Sequence, residues 1–468
     1  MKAIQGQPQV TNQSVVGARS GLSRQQQLLT MSGVYAVLFL LGLETTIGGS
    51  LLPQAARALD GFDRFPWTGT LQMLASACAT PITARLGDMW GRKRLLQMSI
   101  VLLSLAGLGS GLALSMELLL AMRLLNGVAL GMMAATAFAL PADVFADPAQ
   151  RVRWQSLGGV MFAAASSLGP LLGAGLEAKF GWRAALLVVP TASLPVLLVL
   201  AFVSGRKPIH PQAQHFDMLG GLLLCLFIFT SLMALRGPIG NTGTGLSGLV
   251  WIVLCVAALM ALWKRQLRVT QPILSLDILR GQAARLIVLS TLSSGAVLFI
   301  LLFYSPTMLM TLGGLEMTEA GAMMLPLLVG MPVGSVLNGL LFRRQRYPQR
   351  LMAVGSVLLL LGCAALLPIG PDSSHLLVLA SFGLCGVGLG FINQNQTLFM
   401  QMVAPMQHVG AATGLISTAR TYGGAVGSAL FGLAAGMVGL HESLFLSLAL
   451  SLVAALVILF LSLRLHLQ

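Results

Sequence analysis

Ala84-Arg-Leu-Gly-Asp-Met-Trp-Gly-Arg-Lys-Arg94 is a short charged run set between two long apolar stretches. The stretch before it opens near residue 67 and the next near residue 95. Each has about the 20 apolar residues that a helix needs to cross a bilayer. Gly91 supplies the residue type that turns most cheaply. The Arg-Lys-Arg after it is the kind of cluster kept on the cytoplasmic side of a membrane. The run therefore reads as a tight turn between two membrane spans, with Asp88 free to pair with a cation across that face.

The rest of the chain agrees. It has 468 residues, 56% hydrophobic and only 9% charged, and its mean hydropathy is +0.85. Soluble domains carry about 25% charged residues, so there is no ordinary water-facing surface here. Further apolar segments begin near 31, 118, 154, 183, 217, 247, 285, 319, 351, 375, 411 and 442. By length alone that makes about 14 spans. Helices are the only candidates, because lipid satisfies no backbone polar groups and no alternating barrel pattern is present. The first 30 residues are polar and form a tail, with no short apolar core and cleavage site of a signal peptide.

The formal charge is +14. A basic balance can mark nucleic-acid binding, but here the cations sit in loops between apolar segments, where they set topology. With the N-terminus in the cytoplasm, the inner loops hold Arg85 with Arg92, Lys93 and Arg94, then Arg151 and Arg153, then Arg206 and Lys207. They continue with Lys264, Arg265, Arg268, Arg280 and Arg285, and with Arg343, Arg344, Arg346 and Arg350. The outer side keeps Arg57, Arg64, Lys179, Arg183 and Arg236. Both termini are thus expected in the cytoplasm. The short loops point to a bacterial inner membrane and leave no room for an attached soluble domain.

The five cysteines all lie in apolar segments without a CxxC pair, and the six histidines are scattered. No metal site, disulfide framework or cofactor is expected. Nucleotide-binding loops and nucleophile elbows are absent, which argues against an ATP-driven pump and against an enzyme.

Several motifs resemble those of the major facilitator superfamily. Leu86-Gly-Asp-Met-Trp-Gly-Arg-Lys-Arg94 is similar to its loop 2–3 signature, matching at Asp88, Gly91 and Arg92, with Ala84 in place of the leading Gly. Arg123-Leu-Leu-Asn-Gly127 resembles R-x-x-q-G, and Gly169-Pro-Leu-Leu-Gly173 the G-P-x-x-G antiporter signature. The Gly-Trp-Arg at 181–183, Leu43-Glu-Thr-Thr-Ile47 before Leu52-Pro53, and Phe216-Asp-Met-Leu-Gly220 resemble the 14-helix drug:proton antiporter branch, the EmrB/QacA-like multidrug exporters. Two departures stand out: the first-span acid is Glu44 rather than Asp, and Gly48-Gly49 replaces the usual Val-Asn. A faint repeat, Gly339-Leu-Leu-Phe-Arg-Arg-Gln-Arg346 after the tenth span, echoes the opening loop without its acid, as expected of transporters built from related halves.

The resemblance implies an all-α polytopic membrane protein. Two six-helix bundles, 31–204 and 285–468, would flank an inserted helix pair and linker over 205–284, behind the tail at 1–30. It implies a proton-coupled exporter of small amphipathic or cationic drugs, working as a monomer on protons and a small-molecule substrate in the bilayer, with no nucleic-acid partner. The competing readings are a dedicated exporter of one metabolite, such as a siderophore or antibiotic, and a lipid translocator or sensor.

Candidate site residues follow. An ionised acid deep in a span costs about 2.5–3.5 kcal/mol on insertion scales, which makes Glu44 the candidate proton carrier. Arg123 is its candidate partner or relay. Asp88, Gly91 and Arg92 form the candidate inner gate. Gly169, Pro170 and Gly173 are expected to bend and close the seam between halves, since Pro removes a helix donor and small residues let backbones approach. Met132, Phe138, Phe162, Tyr304, Asn393, Asn395 and Arg420 are candidate cavity residues. The amides at 393–396 serve either substrate contact or helix–helix bonding.

The charge distribution makes a direct prediction. On a background lacking the five native cysteines, Ser23→Cys, Gln282→Cys and Gln468→Cys resist a membrane-impermeant thiol reagent in intact cells, while Thr242→Cys reacts. Labelling at residue 282 in intact cells overturns the inserted-pair topology.

Overall fold

The computed structural model describes residues 23–465 except 146, 203–216, 237–244, 270–277, 316, 343, 346, 371–372, 405–408 and 439. The described residues are helical nearly throughout. The first helix, α1 (Arg24–Ala58), opens on a capping box: the Ser23 side chain accepts from the Gln26 N–H, and the Gln26 side chain accepts from the Ser23 N–H. Such a box satisfies two of the donors that a helix start leaves bare. It starts the helix ahead of the apolar segment that opens near residue 31.

Next come α2 (Phe65–Trp90), α3 (Arg92–Gly111), α4 (Met116–Ala137), the short α5 (Leu140–Val144), α6 (Pro148–Leu186) and α7 (Val188–Phe202). The pair α8 (Met218–Arg236) and α9 (Gly245–Arg268) follows. The chain closes with α10 (Gln282–Thr311), α11 (Met317–Met323), α12 (Leu325–Phe342), α13 (Gln349–Leu366), α14 (His375–Val403), α15 (Val409–Val438) and α16 (Leu440–Leu463).

Among the described residues nine helices are long and apolar enough to cross a membrane, or ten if Gly175–Leu186 and Val188–Ala201, bent by 61°, make one span. That is fewer than the 14 expected. One helix outside that set, α2, is polar by composition. Helix α2 carries Thr68, Thr70, Gln72, Ser76, Thr80, Thr83 and Arg85 along its length. Residue-by-residue apolarity is a poor guide where a helix faces protein instead of lipid.

Apolar burial falls into two main clusters. One draws on α1 and α3–α7, the other on Ile278, in the 3-10 turn Ile278–Arg280, and on α10–α16. Within the first group α1 packs along α6 and α2 along α4; within the second α10 packs along α15, and α14 along α12 and α13. The groups meet where α2 lies on α15 and α6 on α12. The α8–α9 pair packs on itself and then against that first seam, through Leu224, Ile228 and Leu232 on Leu74, Ala77 and Ala425.

Close backbone approach depends on missing side chains. A Cβ at Gly42 would run into the Phe162 carbonyl, one at Gly127 into the Gln72 carbonyl, and one at Gly423 into the Leu292 carbonyl. Without a hydrophobic drive between helices in lipid, such small-residue contacts and the dispersion they allow hold the bundle.

Candidate functional site

Glu44 lies on α1 and is 4% exposed. Arg123 and Asn126 stand three residues apart on α4, hence on one face of that helix. They are 1% and 0% exposed. Asn126 Nδ2 donates to Glu44 Oε1 at 2.7 Å, and Arg123 Nη1 reaches the same oxygen at 3.4 Å. Arg123 Nη2 also donates to Ser110 Oγ at 3.1 Å. Ser110 is the penultimate residue of α3, so this network lies on the side of the bundle away from the α2–α3 turn. Arg123 Nε and Asn126 Oδ1 remain without partners. The expected pairing of Glu44 with Arg123 is present; the roles of Asn126 and Ser110 needed the fold to bring α3 and α4 together.

The stretch of α1 around Glu44 is clamped from α6. Gly169 lies against Thr46, Ile47 and Leu43, and a Cβ there would collide with the Thr46 hydroxyl. The motif at 169–173 was expected at the seam between halves, but Gly169 packs within the N-terminal group. Gly173 is buried, and the side chain of Pro170 lies outside the described residues. The helix runs on through residue 170 and departs from helical geometry at Gly181, with φ 79 and ψ 164, a left-handed conformation that costs glycine least. After it, Arg183 donates to the Ala113 carbonyl at 2.8 Å and lies over the Trp182 ring, tying this turn to the α3–α4 loop.

At the other end, Gly91 makes the anticipated turn with φ 91. Arg92 forms an ion pair with Asp143 of α5. The side chain of Asp88 lies outside the described residues. No local pattern marks Asp143 as the partner of Arg92; only the return of the chain after α4 places it there. A bond that crosses between the helix groups at this end joins Gln155 Nε2 of α6 to Gln401 Oε1 of α14 at 3.3 Å. Gln401 Nε2 then donates to Thr413 Oγ1 of α15 at 3.1 Å.

The cavity candidates separate. Met132, Phe138 and Phe162 are half-buried, and the two rings meet edge to face at 6.5 Å. Tyr304 stacks on Phe431 at 3.7 Å between centroids. Asn395 is fully buried and exchanges two hydrogen bonds with Asn338 of α12, at 2.9 and 3.1 Å. Gln396 bonds Ser294 and Ser290 of α10. These two amides therefore serve helix–helix bonding. Asn393 Oδ1, Gln394 Nε2 and Arg420 Nε are shielded without partners, while Arg420 Nη2 donates to the Asn393 carbonyl at 3.2 Å. An open apolar cavity of about 320 Å³ lies between α1, α6 and α7, with Tyr35, Phe39, Leu40, Met161 and Val196 among its lining residues. Leu40 is one turn from Glu44. The volume is at the small end for ligand pockets.

Asp217 has a structural account. It caps α8 by accepting from the Gly220 N–H at 3.0 Å and pairs with Arg265 of α9 at 3.1 Å. Among the described residues no cluster of three potential metal ligands occurs.

Residues 34–428 match the family model described as Major Facilitator Superfamily. "Multidrug resistance protein Stp" of Mycobacterium tuberculosis (strain CDC 1551 / Oshkosh) is 27% identical over 412 residues, covering 87% of this chain and 75% of its own. "Multidrug transporter protein MdtP" of Bacillus subtilis (strain 168) is 23% identical over 412 residues, with the same coverage of 87% and 75%. The human organic anion transporter MFSD10 (TETRAN) superposes with a TM-score of 0.65 at 16% identity, over 93% of this chain and 100% of that one. The proton:xylose symporter XylE gives 0.66 at 13% identity, over 93% and 95%. At these identities the two structures show the shared fold alone.

Removing the cation of a buried pair strands the acid, at a cost of about 3–5 kcal/mol. Arg123→Met is therefore expected to lower apparent stability sharply in detergent unfolding, and Glu44→Leu added to it to restore most of the loss. A double variant as unstable as the single one contradicts the network as described.

Proposed function

The chain belongs to the Major Facilitator Superfamily, and from that premise we propose that it is a proton-coupled antiporter that exports small amphipathic compounds, drugs among them. Its membership makes it a transporter of small molecules and not an enzyme, and its relatives named as multidrug resistance proteins support drug transport. The observation that carries the finer proposal is the buried Glu44–Arg123–Asn126 network: an acid at membrane depth is a functional site by default, and this one has a cation to exchange for a proton.

The proposed span count is 14. Helices α1–α4, α6 to Gly181, the arm from Trp182 through α7, α8, α9, α10, α11 with α12, and α13–α16 supply one span each. On this reading 31–204 and 285–468 form the two bundles, and α8–α9 is the inserted pair within 205–284. The positive loops put the α2–α3 turn and both termini in the cytoplasm of a bacterial cell.

The proposed cycle uses the geometry in order. With the carboxylate ionised, Arg123 and Asn126 hold Glu44 and tie α1 to α4. A proton on Glu44 removes the Coulomb attraction, releasing Arg123 towards Ser110. The freed α1 then shifts against α6, where Gly169 permits close sliding. At the opposite end, Asp88, Gly91 and Arg92 are the proposed inner gate, while the Gln155–Gln401 bond opens and closes as the groups rock. A latch of neutral amides can break at low cost: about 0.5–1.5 kcal/mol for a typical hydrogen bond.

In proteoliposomes with an imposed pH gradient, wild type accumulates amphipathic dyes from a ligand panel. Glu44→Gln is expected to lose the gradient-driven component while dye exchange down a concentration gradient persists. Unchanged gradient-driven transport in Glu44→Gln sinks the coupling role.

A further inference from the structure

Arg420 is the twelfth of the 30 residues of α15 and the sole mid-helix cation among the described residues of α10–α16. Among the described residues no carboxylate pairs with it. A guanidinium has five N–H donors, and here one nitrogen meets a backbone carbonyl while Nε is shielded and unbonded. In the other helix group, by contrast, Arg123 is offset by Glu44. One carboxylate against two guanidiniums leaves the mid-helix charges with a positive excess. An uncompensated cation at membrane depth is expensive, and those that persist mark substrate pathways or counter-ion sites.

The orphaned groups around Arg420 face the right way. Gln401, eight residues beyond Asn393 and seven beyond Gln394 on α14, bonds Gln155 of α6 across the seam. Positions two turns apart share a helix face, so this face of α14 is turned towards the N-terminal group. Asn393 Oδ1 and Gln394 Nε2 have no partners on it. Neither Asn395 nor Gln396 is available, since both are used in helix–helix bonds.

We propose that Arg420, with Asn393 and Gln394, forms a subsite for an anionic group, a carboxylate or sulfonate, on an otherwise apolar substrate. The assignment rests on the export reading above and narrows its substrate to amphipathic anions, against the cationic compounds that the family resemblance alone implies. Arg is the side chain best suited to such groups, because its planar fork can donate two parallel hydrogen bonds to two oxygens.

Binding of three naphthalene probes to the purified full-length chain tests this: the sulfonate, the uncharged sulfonamide and the trimethylammonium. Wild type is expected to bind the sulfonate most tightly. R420Q should weaken sulfonate binding about tenfold, the loss of one charge-assisted interaction, and sulfonamide binding far less. R420K should recover part of the loss, which separates charge from packing should R420Q be poorly folded. Tighter binding of the trimethylammonium than of the sulfonate, no sulfonate binding by wild type, or indifference of sulfonate binding to R420Q overturns the subsite. Arg420-dependent sulfonate binding in a protein that shows no pH-gradient-driven transport leaves the subsite standing and removes the export reading. Gradient-driven transport that ignores Arg420 does the reverse.

Discussion

A carboxylate and a guanidinium face each other at 3.4 Å where water is nearly excluded, and the N-terminal group of helices is arranged around that fact. In lipid and protein interior neither charge is tolerable alone. The pair therefore constrains α1 and α4 to stay in register, and Ser110 extends the constraint to α3. Gly169 lets α6 come close enough to hold the same stretch of α1 from behind. A proton is the smallest perturbation that dissolves this arrangement without removing any atom of it, which is why a conformational role suits Glu44 better than a purely structural one.

The two helix groups are held together by different means. Between them lie the contacts of α2 with α15 and of α6 with α12, Gly414 on Ala84 and Gly159 on Ser335 among them, and a neutral amide bond at the end near the α2–α3 turn. Three charge pairs among the described residues lie inside a group: Glu44 with Arg123, Arg92 with Asp143, and Asp217 with Arg265 within the α8–α9 pair. On the proposed reading, the boundary between the groups is the element that moves, as alternating access by rocking bundles requires. The α8–α9 pair leans on the α2–α15 boundary from outside.

Much of this was legible in one dimension. Apolar length marked most helices, Gly91 marked its own turn, and a single deep acid with few deep cations made Glu44–Arg123 the natural pair. The stretch from 67 gave α2 despite its polar residues, while the start of α1, which a Ser23 cap sets ahead of the apolar segment, was not read from apolarity. Tertiary partners were beyond reach for a physical reason: Gln155 and Gln401 are separated by 246 residues, and nothing local in an amide says whether it will meet another amide, a substrate or water. The run at 393–396 illustrates this, for its last two amides bond neighbouring helices while its first two hold atoms without partners. Gly169 was legible as a close-approach residue but not as to which helix it would approach.

Glu44 as the group that gains and loses the proton is the central claim, and an infrared pH titration of the purified protein, wild type beside Glu44→Gln, tests it most directly. The account predicts a carboxylic-acid C=O band that grows as pH falls in wild type and is missing from Glu44→Gln. A titrating band of equal size in both proteins would contradict it.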